Sequence, residues 1–338
     1  MRKSAIVIGF GAFFLTLALL LKFYAYDKLT VIPADTNVQQ VLSDPNAKFF
    51  DADTLSPKQG KVSTIQTVVA DKKGSEAQGG NSIVLNINQV TDNNNQAPPI
   101  DAFSSHLGLN RHTGLPLDCC DDSMTRLQGT KVVTKPVQHQ GYTIKFPFGA
   151  GKGSYDYWDN TLQKSMTMKY VGTDTIEGLA VNRYEGSVPD TKYTQQALPG
   201  VLFGGAKTSP GVLADRSYKN DRTIWAEPTT GAFIKVAEHQ VITLTDPATG
   251  KTVIGIDTNQ VMNDATVKKN VDEYKGKASQ LKLLQLMPWV LGILGLLLII
   301  AGIAILLVSG RNGGGQHGDG AHQGGSTPVD DGDDFARA

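Results

Sequence analysis

Trp289-Val290-Leu291-Gly292-Ile293-Leu294-Gly295-Leu296-Leu297-Leu298-Ile299-Ile300-Ala301-Gly302-Ile303-Ala304-Ile305-Leu306-Leu307-Val308 runs without a charged side chain. A helix needs roughly 17 to 25 such residues to cross a hydrocarbon core. The other end of the chain carries a second apolar stretch, from Ala5-Ile6-Val7-Ile8-Gly9-Phe10 through Leu19-Leu20-Leu21. A buried core helix is the rival reading of either stretch, but the C-terminal one is too long and too apolar for it. The segment between them is polar and long enough to bury a sizeable core, as one large domain or two small ones. The sequence therefore predicts a hairpin through a plasma membrane. Residues 1–4 are the N-terminal tail, 5–26 the first transmembrane helix, 27–284 the domain, 285–309 the second transmembrane helix and 310–338 a Gly/His/Asp-rich tail.

Charge near the spans sets the orientation, because Lys and Arg beside short flanking segments stay cytoplasmic. Arg2 and Lys3 precede the first span and Arg311 follows the second, so both termini are expected inside. Lys22, Lys28, Lys275, Lys277 and Lys282 lie on the domain side and argue the other way, but long domains are exported largely regardless of charge. The domain is accordingly expected to be extracytoplasmic. A cleaved signal peptide is the alternative for the first span. Phe23-Tyr24-Ala25 puts a bulky residue where the cleavage pattern wants a small one, which favours an uncut anchor. Tyr24, Tyr26 and Trp289 would then sit at headgroup level.

With 32 Lys and Arg against 32 Asp and Glu the formal charge is zero, which excludes a nucleic-acid surface and a polybasic lipid patch. Short period-two runs at 62–69, 82–90, 142–148, 165–172, 180–186, 223–226 and 232–244 predict strands. A helical pattern at 265–284 predicts a stalk leading into the second span. The fold class expected is mostly β (α+β). Residues 71–80 and 91–99 read as loop tips. Arg111-His112-Thr113-Gly114-Leu115 and Pro228-Thr229-Thr230-Gly231-Ala232-Phe233 are Thr-Gly turns in which glycine supplies a positive φ; they mark either two related halves or two ordinary turns. The tail after Arg311 has too few apolar residues for a core and is expected to be disordered, with His317 and His322 a weak metal signal.

Chemistry motifs are sparse. Gly149-Ala150-Gly151-Lys152-Gly153-Ser154 has the wrong spacing for a phosphate loop, and its Lys is followed by Gly. There is neither a Gly-x-Ser-x-Gly elbow nor a His-Glu-x-x-His helix. His106, His112, His139 and His239 are scattered, and Asp121-Asp122 and Asp156 with Asp159 are uninformative alone. The expectation is a protein that is not an enzyme and takes no cofactor or metal. The only cysteines, Cys119 and Cys120, are adjacent. Neighbouring Cα atoms are about 3.8 Å apart, short for a disulfide, so a vicinal disulfide or two free thiols come first, an intermolecular bridge second and metal ligation last.

Aromatic side chains concentrate at 142–159. Phe146 with Phe148, and Tyr155 with Tyr157, alternate as on strand faces, and Trp158 follows. These five residues are the candidate lipid-binding set, since rings offer both apolar area and a stacking surface for a sugar; a hydrophobic core at a strand pair is the bland alternative.

The order of these features resembles the actinobacterial envelope family called DUF3068, or porin PorA. Val31-Ile32-Pro33-Ala34 follows the anchor, and Arg111-His112-Thr113-Gly114 supplies the turn. Tyr155-Asp156-Tyr157-Trp158-Asp159, Tyr170-Val171-Gly172 with Ile176-Glu177-Gly178-Leu179, and Trp225-Ala226-Glu227-Pro228-Thr229-Thr230-Gly231 complete the pattern up to the last span. The resemblance implies an exported β-rich domain that binds or traffics an envelope lipid or glycolipid of mycolic type, with a lipid exporter or another envelope protein as partner. By topology alone the hairpin is also similar to animal scavenger receptors. The alternatives are an extracytoplasmic enzyme acting on envelope glycans and an assembly scaffold without a ligand.

Overall fold

The computed structural model describes residues 2–51, 54–93, 99–128 and 131–311. The expected disorder and metal role of the tail, and most of the loop tip at 91–99, lie outside the described residues. Two compact units are present, one of 2–18 with 289–311 and one of 19–288.

In the first unit, α1 (Arg2–Leu20) and the C-terminal part of α4 (Asp264–Arg311) contribute the apolar helices. Both are long and apolar enough to cross a membrane. Glycines let their backbones approach. A Cβ added at Gly11 would lie 2.7 Å from the Gly295 carbonyl oxygen, and one at Gly295 would lie 2.8 Å from that of Gly11. Small residues serve this purpose in lipid, where close van der Waals packing drives association.

The second unit is built on a twelve-stranded antiparallel sheet, in agreement with the mostly β expectation. Strands β1 (Asn37–Asp51), β2 (Ser56–Asp71), β3 (Ser82–Asp92), β4 (Asp101–Asn110), β5 (Ser123–Gln128) and β6 (Lys131–Pro136) form one meander. A second comprises β7 (Ser154–Asp159), β8 (Lys164–Ile176), β9 (Leu179–Leu198), β10 (Val212–Ala226), β11 (Phe233–Thr245) and β12 (Thr252–Met262). The two join where β1 pairs with β12, with Leu42 opposite Met262 and Phe49 opposite Ile256. Edge strands β6 and β7 are linked by residues 137–153, which pair onto β7: Trp158 N donates to Tyr142 O and Tyr142 N to Asp156 O.

Two of the long strands that carry proline accommodate it by bulging, since proline cannot serve a ladder. In β1 the register with β2 slips between Asp44 and Ala47, around Pro45. Buried Asp44 covers the gap, accepting from Asn46 N at 2.8 Å and from Asn259 N at 2.6 Å on β12. In β9 a shift opposite Tyr218 and Asn220 absorbs Pro189.

One turn recurs. It spans 110–115, 159–164, 227–232 and 246–251. In each copy the first residue's side chain accepts backbone N–H groups two or three positions on. The fifth residue's N–H returns to the first residue's carbonyl at 2.8 Å. That fifth position, Gly114, Gln163, Gly231 or Gly250, has a positive φ of 77°, 55°, 73° or 69°. The two Thr-Gly turns follow β4 and β10, the fourth strand of each meander.

Two local expectations are corrected. Residues 142–148 are not a strand: Tyr142 and Lys145 make only isolated bridges, to Tyr157 and Ala232. Gly141 and Gly149, both at φ 73°, bracket the segment, and Pro147 removes a donor. Within the predicted loop tip 71–80, Lys72–Gln78 forms α3, capped by the Asp71 carboxylate on Gly74 N.

Candidate functional site

The interior of the sheet is incompletely filled. A cavity of about 620 Å³ lies between strands of both meanders, residues 143–148 and the helical residues 269–284 of α4. Its lining is mixed. Leu29, Val31, Ile32, Leu281 and Leu284 are apolar, Gln40, Gln66, Gln89 and Gln240 are polar, and α4 also adds Lys269, Asn270, Glu273, Lys277 and Gln280. Asp159, Tyr218, Arg222 and Glu238 line it as well. Polar inward positions on a strand otherwise apolar on that face are costly unless paired. Several are paired: Gln66 Nε2 donates to Gln89 Oε1 at 3.2 Å, and Tyr218 Oη to Asp159 Oδ2 at 2.9 Å. Arg222 binds Glu238 through both Nε and Nη2. Burial, then the Asp159 charge, pushes the Tyr218 hydroxyl far above its usual range. It is a fixed donor.

The five aromatic candidates divide. Phe148 and Tyr157 line the cavity. The Phe148 ring lies under the Lys145 ammonium at 3.7 Å, and the Tyr157 ring under the Arg222 guanidinium at 4.7 Å. Phe146, fully buried, is instead the hub of an aromatic core, with the rings of Tyr155, Tyr184 and Phe233 each 4.9 Å away. Tyr155 stacks there and accepts from Gly151 N. Trp158 is buried as well: its Nε1 donates to Asn160 Oδ1, and its ring packs on His139 at 5.0 Å. The strand-like alternation expected for Phe146 and Phe148 fails because the backbone there is irregular. The Gly149–Ser154 loop closes this core. Its Ala150 and Gly151 carbonyls accept from Asn182 Nδ2 at 3.1 Å and Tyr184 Oη at 2.6 Å.

Residues absent from the candidate set also line the cavity. Thr143 and Lys145 sat within the quoted aromatic stretch, and their position between Gly141 and Gly149 was the available signal. Arg222 and Glu238 are far apart in sequence; Glu238 is a charged residue inside the predicted run 232–244, whereas Arg222 lies one residue before the run 223–226 and gave no such signal.

Ser105, His139 and Asp122 make a separate buried chain. Ser105 Oγ lies 2.9 Å from His139 Nε2, and His139 Nδ1 lies 2.8 Å from Asp122 Oδ2. The order is that of an acyl-transfer triad. Ser105, however, is 1% exposed on a regular strand and His139 is 4% exposed, so no substrate reaches the hydroxyl in this conformation. Asp122 Oδ1 also accepts from Gly108 N at 2.8 Å. The chain thus ties β4 to the segments flanking β5 and β6. Next to it Cys119 and Cys120 are bonded to each other, against Gly108, where a Cβ would lie 2.7 Å from Cys119 Sγ.

A search with protein-family models matches residues 3–304 to the family described as Porin PorA. The chain belongs to this family. Two relatives carry the same name. A Porin PorA of Corynebacterium amycolatum is 22% identical over 74% of this chain and 72% of its own length. One from Corynebacterium resistens is 23% identical over 90% of this chain and 96% of its own.

Proposed function

We propose that this protein is anchored in the cell envelope by its two apolar helices and that its sheet domain binds an amphipathic envelope lipid or glycolipid in the cavity. One observation carries the reading: a single cavity is lined both by apolar side chains, Leu281 and Leu284 of α4 among them, and by glutamines and paired charges. Its volume falls within the roughly 300–1,000 Å³ of sites that enclose small ligands. Residues 269–284 lead in sequence directly into the second apolar stretch, which suits a ligand that enters from lipid. A lipid exporter or another envelope protein would deliver or accept it.

The name of the relatives suggests a pore. A transmembrane barrel presents an apolar band on the outside of its strands. The strands here carry exposed ion pairs such as Lys192–Asp215 and Lys219–Asp221, so we assign membrane crossing to the helices. Glycan hydrolysis calls for a pair of carboxylates; those of Asp159 and Glu238 in the cavity are engaged by Tyr218 and Arg222.

The test is lipid extraction and mass spectrometry of the purified full-length protein. An amphipathic lipid is expected to co-purify near one per chain, and Phe148→Ala with Tyr157→Ala is expected to deplete it with a small fall in melting temperature. Trp158→Ala should instead cost about 3–5 kcal/mol of stability, as for a core aromatic. Absence of lipid from the parent, or full retention by the double variant, would sink the proposal.

A further inference from the structure

Lys145 stands out among the groups that line the cavity. Its Nζ donates to the Phe146 carbonyl at 2.7 Å and sits over the Phe148 ring. Among the described residues no carboxylate lies within ion-pair distance of it. Of the other cations that line the cavity, Arg222 is neutralised by Glu238 and Lys277 by Glu273, and Lys269 is solvent-exposed. Two positions before Lys145, Thr143 also lines the cavity; it is 8% exposed, and its buried Oγ1 has no hydrogen-bond partner among the described residues. An ammonium without a counter-ion and a buried hydroxyl without a partner are each unfavourable alone. Both needs are met by one kind of group, an oxyanion, which accepts from an ammonium and a hydroxyl together.

Resting on the cavity reading above, we infer that the amphiphile it takes is acidic, and that its carboxylate or phosphate is held by the Lys145 ammonium and the Thr143 hydroxyl. Burial alone lowers the Lys145 ammonium to about 7, consistent with the absence of a carboxylate nearby. A ligand anion would restore its charge, so part of the binding energy is an ion pair formed in a half-buried setting, where truncating one partner is costly. Phe148, beneath the ammonium, holds it in place by a cation–π contact.

The experiment measures binding of oleate, oleyl alcohol and inorganic phosphate to the full chain in lipid nanodiscs, delipidated beforehand. Oleate is expected to bind about tenfold or more tighter than oleyl alcohol. Lys145→Met should remove that preference, weakening oleate by about tenfold more than it changes the alcohol. Thr143→Val should weaken oleate by a smaller factor, and Lys145→Arg should keep the preference, which covers the case in which the methionine variant folds poorly. Equal binding of acid and alcohol, or oleate affinity indifferent to Lys145→Met, would overturn the inference and leave the cavity reading standing. Failure of both amphiphiles would overturn the two together. Inorganic phosphate binding that disappears in Lys145→Met, without any oleate binding, would assign the oxyanion site to a free anion and overturn the lipid headgroup.

Discussion

Gly231 shows how a single backbone position reaches the site. It occupies the left-handed place in the turn between β10 and β11, and a Cβ there would collide with the carbonyl oxygens of Phe146 and Pro147. Gly250 holds the same place in the next turn with a similar φ, yet nothing lies within 4 Å of its Cβ position. The pair separates conformational strain from collision. Gly250→Ala should cost only the left-handed strain, about 1–2 kcal/mol. Gly231→Ala should cost more and should also release bound lipid, because residues 146–148 must move and Phe148 with them. Thermal melting and lipid content of both variants check this; equal losses would show that Gly231 matters only for its φ. The same residues show what was legible in the sequence at this scale. Thr-Gly turns announced themselves through glycine, and the aromatic cluster through density. That Phe146 goes to the core while Phe148 faces the cavity was not legible, because it depends on an irregular path fixed by contacts with Gly231 and β7. Arg222 and Glu238 became one feature only through the register that places them opposite each other on β10 and β11.

Among the elements, strands with β-branched residues and unbroken alternation were legible: 62–69 and 82–90 lie within β2 and β3. Two of those missed have specific reasons, whereas β12 was missed despite its β-branched residues. Pro45 lies inside β1, and β4 reads Asp-Ala-Phe-Ser-Ser-His-Leu-Gly-Leu-Asn, with no β-branched residue. Tertiary pairing on both sides overrides weak propensity in such strands. The apolar helices pose the opposite case, legible by composition but silent on which side packs. Glycine contacts supply that. Gly295 meets Gly11 and Leu15, whereas nothing lies within 4 Å of a Cβ at Gly292. Gly295→Leu should therefore overpack the helix pair and cost about 1–3 kcal/mol, while Gly292→Leu should be tolerated. Melting of each full-length variant in nanodiscs tests the contrast, and indifference to Gly295→Leu would place the contact elsewhere.

At the level of the whole molecule, the proposed two crossings would put both ends of the chain on one side, and Arg2, Lys3 and Arg311 favour the cytoplasm. A cysteine added at either terminus should resist a membrane-impermeant thiol reagent in intact cells, and one added on an exposed strand position such as Lys219 should react; labelling of the C-terminal tail would reverse the assignment. The seam between β1 and β12 carries a further consequence, for the order of events during synthesis. Strands β2 to β6 can pair as they emerge, each with its predecessor, but the outer edge of β1 stays open until β12, the last strand, has been made. Long-range pairing of this kind is slow, and an open edge is prone to stray association. Since α4 begins two residues after β12 ends, the strand that completes the sheet and the helix long and apolar enough to cross a membrane emerge almost together. A ribosome stalled before β12 would thus leave a nascent sheet whose central seam is still an unpaired edge.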